Sequence, residues 1–242
     1  MARKGKTVVG QTNSAPAQRQ FTDREEPQES FIKALKEVSD REYSILTYYG
    51  VGGIGKSSLQ AHLKSHHLDK NGDSIYSSID FDRESNRMPY NTFRTLADKF
   101  KTNFKVPFTA FDIAYTIYWS KANPNVELKQ ESLPFLEEGG LLSGTIDLLD
   151  SVGGMASVAL SAVDYAAKKI KDRSFNITIQ EELKKLDSLE AEQIEDRLGF
   201  FFAYDIDNYK KKHPQKKVVI FLDTYEALWQ NVRNESNRLS QD

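Results

Sequence analysis

The chain lacks cysteine, long apolar runs and a large excess of either charge. Without cysteine it can form no disulfide, thiolate metal site or cysteine nucleophile, which fits a reducing compartment. No run approaches the roughly 20 apolar residues that span a bilayer, and the basic N-terminus leads into a polar stretch rather than the apolar core of a secretory signal. With 33 Lys and Arg against 35 Asp and Glu, the composition does not indicate nucleic-acid binding. We expect a cytoplasmic protein with no membrane partner.

What the chain does contain is the composition of a folded domain. Apolar residues make up 39% and charged residues 28% of the 242 residues, a balance that is ordinary for globular proteins and argues against disorder. The length suits one large domain or a core domain with an insertion.

The first third of the chain has the pattern of a βαβ unit. Residues 1–20 have no apolar face to bury, so we expect a flexible basic and polar tail. The spacing of apolar residues predicts a helix from Pro27 through Val38. Strands are predicted over Tyr43–Tyr49 and Ser74–Phe81, with a helix over Lys56–Leu68 between them. This order is typical of a parallel α/β sheet.

The middle of the chain changes character. Apolar residues recur at helical spacing through most of 83–215, so we interpret this stretch as a mainly helical insertion. Within it, Thr109 and Asp112 have the spacing of a capping box, and the small residues of Gly139–Ile170 also follow a helical period. The apolar run Lys216–Leu222 predicts a central strand that is covered on both faces.

A glycine-rich loop follows the first predicted strand. It reads Gly-Val-Gly-Gly-Ile-Gly-Lys-Ser and matches G-x-x-x-x-G-K-[ST] in full. Glycines let the backbone approach phosphate oxygens, and the helix that follows adds its N-terminal N–H groups. Lys56 would neutralise the β- and γ-phosphates, and the Ser57 hydroxyl would coordinate Mg²⁺. The predicted nucleotide-binding residues of this loop are Gly50, Val51, Gly52, Gly53, Ile54, Gly55, Lys56, Ser57 and Ser58.

The same loop admits a second interpretation. Gly50, Gly52 and Gly55 also satisfy the G-x-G-x-x-G pattern of a dinucleotide-binding fold, in which Asp80 would bind the ribose. That fold has no need of Lys-Ser directly after its last glycine, so the pattern favours a P-loop.

An aspartate follows the apolar run near the end of the chain. In P-loop NTPases an aspartate at this place holds Mg²⁺ through water, and Asp223 is predicted to do so opposite the Ser57 hydroxyl. Glu226 is the nearest candidate to polarise an attacking water; the alternative is a solvated carboxylate at a helix start. The predicted catalytic residues are therefore Lys56, Asp223 and Glu226. GTP is disfavoured because the chain has no N-K-x-D guanine motif.

The glycine loop and the segment before the first strand together resemble the STAND class of signalling ATPases, the NB-ARC and NACHT relatives of AAA+ proteins. Residues 21–25, Phe-Thr-Asp-Arg-Glu, resemble that class's F-x-G-R-E segment, with Asp23 in place of its glycine. The resemblance implies that Phe21 and Arg24 lie near the adenine of ATP or ADP. Residues 222–226, Leu-Asp-Thr-Tyr-Glu, look like the acidic strand of bacterial members.

The resemblance also implies a fold and a mode of action. The fold is a three-layer α/β P-loop NTPase core with a parallel sheet, formed by residues 21–82 and 216–242 around the helical insertion of 83–215. The action is that of a switch whose ADP-bound state becomes an ATP-bound homo-oligomer and activates an effector, in many bacterial relatives during defence against phage. The family's sensor-1 strand would come after Asp242. We therefore expect an incomplete sheet, a missing sensor or effector region, and nucleotide binding with little hydrolysis.

Two other functions stay open from the sequence. One is a metabolic P-loop phosphotransferase whose helical insertion covers the acceptor, and the other is a non-catalytic interaction module that nucleotide stabilises. His62 and His66 fit helix packing better than metal binding. The lysines at 210–212 fit a solvated helix end better than a nucleic-acid contact.

Overall fold

The computed structural model describes residues 24–37, 45–50, 53–69, 72–126, 163–164, 167–168 and 175–229. By internal contacts the chain divides into two compact units, residues 1–59 and residues 60–242. The predicted tail over 1–20 lies outside the described residues, as does most of the small-residue helix predicted over Gly139–Ile170. Within the latter, residues 163–164 and 167–168 are helical.

The first unit begins with a helix and an irregular segment. Helix α1 spans Glu25–Glu37 and buries Phe31, which confirms the predicted helix at its described positions. Residues 45–50 have no regular secondary structure, so the strand predicted over Tyr43–Tyr49 is wrong where it is described. A strand is stabilised by hydrogen bonds to a neighbouring strand, and no described strand pairs with this segment. Its Ile45 side chain is 81% exposed.

Helix α2 follows the glycine loop directly. It spans Lys56–Leu63 and continues as a π-helical turn over Lys64–Leu68, which confirms the helix predicted over the whole stretch. Leu59 and Leu63 of this helix are buried. The boundary between the two units falls within α2.

The second unit contains a small parallel sheet. Strand β1 spans Ser74–Asp80 and strand β2 spans Lys217–Asp223. They pair in register, so that the first residues lie opposite each other and Asp80 lies opposite Asp223. Both strands were predicted, and their parallel pairing requires the kind of long helical connection that separates them. The described chain is therefore mixed α/β, mostly helical with this two-stranded sheet.

The burial of β2 differs from the prediction of a strand covered on both faces. Ile220 and Leu222 are 39% and 50% exposed, whereas Ile75 and Ile79 of β1 are buried. Among the described residues β1 is the strand that pairs with β2. Ile220 and Leu222 are two residues apart and so lie on the same face of the strand, which stays partly in contact with solvent.

Helices make up most of the rest of the second unit where it is described. They are α3 (Pro89–Phe104), α4 (Thr109–Ala122), α5 (Ile177–Lys185) and α6 (Ala191–Lys212), with 3₁₀ turns over Glu84–Arg87, Leu186–Ser188 and Tyr225–Trp229. Helix α3 packs against β1 and α6, and α4 packs against α5 and α6. The described part of the predicted insertion is thus helical. None of the helices in the described ranges combines the length and apolar character needed to cross a bilayer.

An aromatic core joins α3, α4 and α6. The ring of Phe202 lies 5.1 Å from that of Phe108, 6.0 Å from that of Phe111 and 6.4 Å from that of Phe100, measured between centroids. All four rings are buried, and such pairs add about 0.5–1.5 kcal/mol each beyond their buried area. This core fixes α3 against α4 and α6.

The start of α4 is capped from another helix, not by the predicted capping box. The helix begins at Thr109, its N-cap is Phe108, and no side chain at the N-cap accepts a hydrogen bond. Instead the Asp205 carboxylate of α6 accepts the N–H of Ala110 at 3.3 Å and that of Phe111 at 2.8 Å. Asp112, predicted as the second box residue, pairs with Lys101. The prediction was wrong because a distant carboxylate occupies the position that a local cap would take.

Candidate functional site

Two described glycines of the loop have left-handed backbone conformations. Gly53 has φ +78° and Gly55 has φ +93°, a region that residues with a Cβ rarely adopt. The Leu59 N–H donates to the Gly55 carbonyl at 2.9 Å, so the first helical hydrogen bond of α2 closes on the last glycine of the loop. Val51 and Gly52 lie outside the described residues.

Lys56 is the first residue of α2, and its ammonium group contacts the loop itself. Its Nζ donates to the Gly50 carbonyl oxygen at 2.8 Å, and the side chain is half-buried. Ser57 and Ser58 follow in the first turn and are exposed. The first turn of a helix leaves its N–H groups without partners in the helix and carries a positive partial charge, so this end of α2 suits an anion.

Arg24, which the family resemblance places near adenine, directly precedes α1 and holds the loop. Its Nη2 donates to the Ile54 carbonyl oxygen. The Tyr48 hydroxyl donates to the Pro27 carbonyl oxygen at 2.8 Å, which ties the segment before the loop to the same helix, and burial raises the pKa of Tyr48. Phe21, the other residue that the resemblance places near adenine, lies outside the described residues. Within the first unit, the structure thus brings Arg24, Lys56 and the loop together.

Asp223 lies in the second unit, at the C-terminal end of β2. One of its carboxylate oxygens accepts the N–H of Thr224 at 3.0 Å. Thr224 has φ +54°, a strained conformation for a β-branched residue. Asp80 occupies the same position at the end of β1. The two carboxylates therefore share the edge of the parallel sheet where ligands of open α/β sheets bind.

A polar cleft opens at this edge, entirely within the second unit. Its volume is about 380 Å³, and its charged and amide lining consists chiefly of Asp80, Arg83, Asn86, Arg94, Lys99 and Asp223. We call it the strand-end cleft. Asn86 is held in place because its Nδ2 donates to the Asp80 carbonyl oxygen at 2.7 Å. Glu226 is exposed and does not line this cleft.

The cations in and beside the cleft affect one another's pKa values. Burial lowers the pKa of Lys99, as does the nearby charge of Arg83, while Asp80 acts in the opposite direction. Burial likewise lowers the pKa of Lys64, helped by Lys99 and opposed by Asp223 and Asp69. Positive charges are therefore crowded together beside the two strand-end carboxylates.

Sequence reasoning did not identify Arg83, Arg94 or Lys99. A signal for Arg83 exists, because it comes two residues after the end of a predicted strand, where open sheets bind their ligands. Arg94 and Lys99 lie on α3 together with the lining residue Asn91, and positions 91, 94 and 99 recur on one side of a helix. That polar spacing passes unnoticed when only apolar spacing is examined.

The donors proposed for a metal are chemically suited to magnesium. Mg²⁺ prefers oxygen ligands, and Ser57 and Asp223 offer a hydroxyl and a carboxylate. Among the described residues no three His, Asp or Glu side chains come together as a ready metal site. The rings of His62 and His66 stack at 3.9 Å between centroids, an arrangement consistent with the packing role predicted for them.

Comparison with known proteins finds no family model, no curated protein and no solved structure that matches this chain. The function must therefore be argued from the residues themselves.

Proposed function

We propose that this chain is the nucleotide-binding part of an ATP-dependent signalling switch of the STAND type, built on a three-layer P-loop core. The observation that carries the proposal is the loop before α2, where Gly53 and Gly55 have positive φ and Lys56 begins the helix. A left-handed loop that leads into a helix N-terminus surrounds an anion with backbone N–H groups. The full G-x-x-x-x-G-K-[ST] motif supports a nucleotide phosphate as that anion.

Lys56 changes its acceptor when the nucleotide binds. Without ligand its ammonium donates to the Gly50 carbonyl; with ATP the β- and γ-phosphate oxygens take the place of that carbonyl. A charge-assisted hydrogen bond to a phosphate is stronger than one to a neutral carbonyl, so the exchange favours the bound state. Arg24 keeps the loop in position through the Ile54 carbonyl.

Ser57 and Asp223 would hold Mg²⁺, which neutralises charge on the phosphates when it is bound. Glu226 remains the candidate that orients an attacking water, and its exposure fits the slow hydrolysis expected of a switch. ATP in place of ADP then favours a homo-oligomer. A role in antiviral defence is supported by the family resemblance alone.

Thermal unfolding of the purified chain tests nucleotide binding. With Mg²⁺ and ATP or ADP at a hundredfold excess over Kd, the free energy of unfolding should rise by about 2.7 kcal/mol, a shift of several degrees in Tm. GTP and NAD should give smaller shifts. Lys56→Ala should abolish the ATP shift, whereas Lys36→Ala, an exposed lysine of α1, should keep it. A cooperative unfolding transition that no adenine nucleotide moves would contradict the proposal.

A metabolic phosphotransferase is the second candidate, and the strand-end cleft favours it. An acceptor needs a polar pocket at the carboxyl edge of the sheet, and a cleft of about 380 Å³ is within the range of small-molecule sites. Rapid ATP turnover only in the presence of a small acceptor would support this candidate. Slow turnover that no acceptor accelerates would support the switch.

A further inference from the structure

We propose that the strand-end cleft is a binding site for a small phosphate-bearing molecule. The proposal concerns residues of the second unit only and does not depend on nucleotide binding at the glycine loop.

The side chains that line the cleft are of the kind that binds phosphate. Three cations, Arg83, Arg94 and Lys99, meet two carboxylates there, so the lining carries a net positive charge. Arginine presents planar pairs of N–H donors that match the oxygens of a phosphate. Asn86 and Asn91 add amide groups to the lining, which can bind further hydroxyl or phosphate oxygens of a ligand.

Two of the cations, Arg83 and Lys99, are not paired with the carboxylates of the cleft. Within the described residues, the Arg83 guanidinium makes no hydrogen bond or ion pair, although Asp80 lines the same cleft. The Lys99 ammonium donates to the Ser78 carbonyl oxygen at 2.5 Å and not to a carboxylate. The charge of Arg83 lies close enough to lower the pKa of Lys99, and a bound phosphate dianion would offset this repulsion between like charges.

The position of the cleft in the fold also supports a ligand site. The cleft lies at the carboxyl edge of two parallel strands, where Asp80 and Asp223 end β1 and β2. Ligands of open α/β sheets bind in the crevice outside these strand ends. A volume of about 380 Å³ is near the lower end for small-molecule sites, so the ligand is the size of a phosphorylated metabolite rather than a polymer.

The test is a ³¹P NMR titration of orthophosphate and of glycerol 3-phosphate with nucleotide-free, magnesium-free protein at constant ionic strength. The starting protein is Lys56→Ala, because the unaltered glycine loop would also bind phosphate. To this protein one further substitution is added. Arg83→Gln and Lys99→Gln each remove an exposed cation of the cleft, and Lys105→Gln, at the far end of α3, is the control. Lys105 is also exposed but does not line the cleft.

Lys56→Ala alone should still bind one phosphate ligand. Arg83→Gln and Lys99→Gln should each raise Kd about tenfold or more, the effect of one charge-assisted hydrogen bond, and Lys105→Gln should change it less than twofold. Tighter binding of the ester assigns the cleft to phosphate esters, and tighter binding of orthophosphate assigns it to the free ion. The proposal is overturned if Lys56→Ala binds neither phosphate ligand, or if the three added variants lose phosphate affinity to the same extent. Failure of the nucleotide site would instead appear in the ATP melting experiment.

Discussion

At the scale of single residues, the glycine loop is held by side chains that act on its backbone. Lys56 donates to the Gly50 carbonyl, and Arg24 donates to the Ile54 carbonyl. These contacts hold the loop backbone from two sides of the chain, and under the proposed function the Lys56 contact would be exchanged for one to phosphate. The positive φ values of Gly53 and Gly55 make this shape dependent on glycine.

Gly53→Ala tests that dependence without a steric clash. A Cβ at this position would meet no atom within 4 Å, so the cost comes from φ +78° and should be about 1 kcal/mol of unfolding free energy. Urea unfolding measures it, and Ser58→Ala in the helical first turn of α2 is the control, expected within about 0.5 kcal/mol of wild type. Equal stability of wild type and Gly53→Ala would mean that the loop has a different backbone in solution.

Asp205 is a second residue whose surroundings predict a measurable effect. The pKa of Asp205 is raised from 3.8 to about 8, chiefly by burial and also by the charge of Asp112, while the N–H groups of Phe111 and Ala110 and the charge of Lys101 act against the shift. The native protein therefore binds a proton that the unfolded chain has already lost between about pH 4 and pH 8. Because rising pH favours the state with fewer protons, stability should fall across this range.

We expect the unfolding free energy of wild type to fall with pH by up to about 1.4 kcal/mol per pH unit relative to Asp205→Asn, and the difference to level off above pH 8. Urea unfolding from pH 5 to pH 9 measures both proteins. Parallel pH profiles would show that Asp205 is ionised in the native state throughout. Asp112→Asn removes the neighbouring negative charge and should therefore lower the pH above which the difference levels off.

At the scale of elements, the second unit depends on contacts between distant parts of the chain. Helix α4 receives its N-terminal cap from α6 across 94 and 95 residues of sequence. Strand β1 has α3 on its surface and β2 at its edge. The cap, the aromatic core and the sheet hold α3 so that Arg94 and Lys99 line the strand-end cleft.

A pair of variants distinguishes the observed cap from the predicted one. Asp205→Ala leaves two N–H groups of α4 without acceptors, and each such buried group costs about 1–3 kcal/mol. Thr109→Ala removes the side chain that the sequence pattern predicted as the cap, and should change stability by no more than about 0.5 kcal/mol. The measurement is urea unfolding near pH 7. A larger loss for Thr109→Ala than for Asp205→Ala would restore the local capping box.

At the scale of the whole molecule, the proposed switch predicts assembly that depends on the nucleotide. Light scattering after size exclusion should show a larger particle with Mg²⁺ and ATP than with Mg²⁺ and ADP. Lys56→Ala should give the same mass with both nucleotides, while Lys36→Ala should behave as wild type. A wild-type chain that binds ATP and keeps one mass throughout would contradict the switch and favour the phosphotransferase.

Local patterns predicted most of the helices and both strands. The apolar spacing of α3, α5 and α6 was sufficient, because a helix buries one face and repeats it along the sequence. The strand over Tyr43–Tyr49 failed at its described positions because a β-rich sequence still needs a partner strand. The prediction that β2 is covered on both faces failed for a related reason, since the burial of a strand depends on what packs against it.

The sequence by itself determined the glycine loop with its Lys56, and the aspartate at the end of an apolar strand. Both are contiguous patterns, so their chemistry depends on residues that are neighbours in the chain. Only the tertiary structure decided that Arg24 binds the loop backbone, that Asp205 caps α4, and that Arg83, Arg94 and Lys99 line one cleft. These arrangements join side chains that are far apart in the chain or come from different elements. No local spacing encodes them, because packing of the elements brings them together.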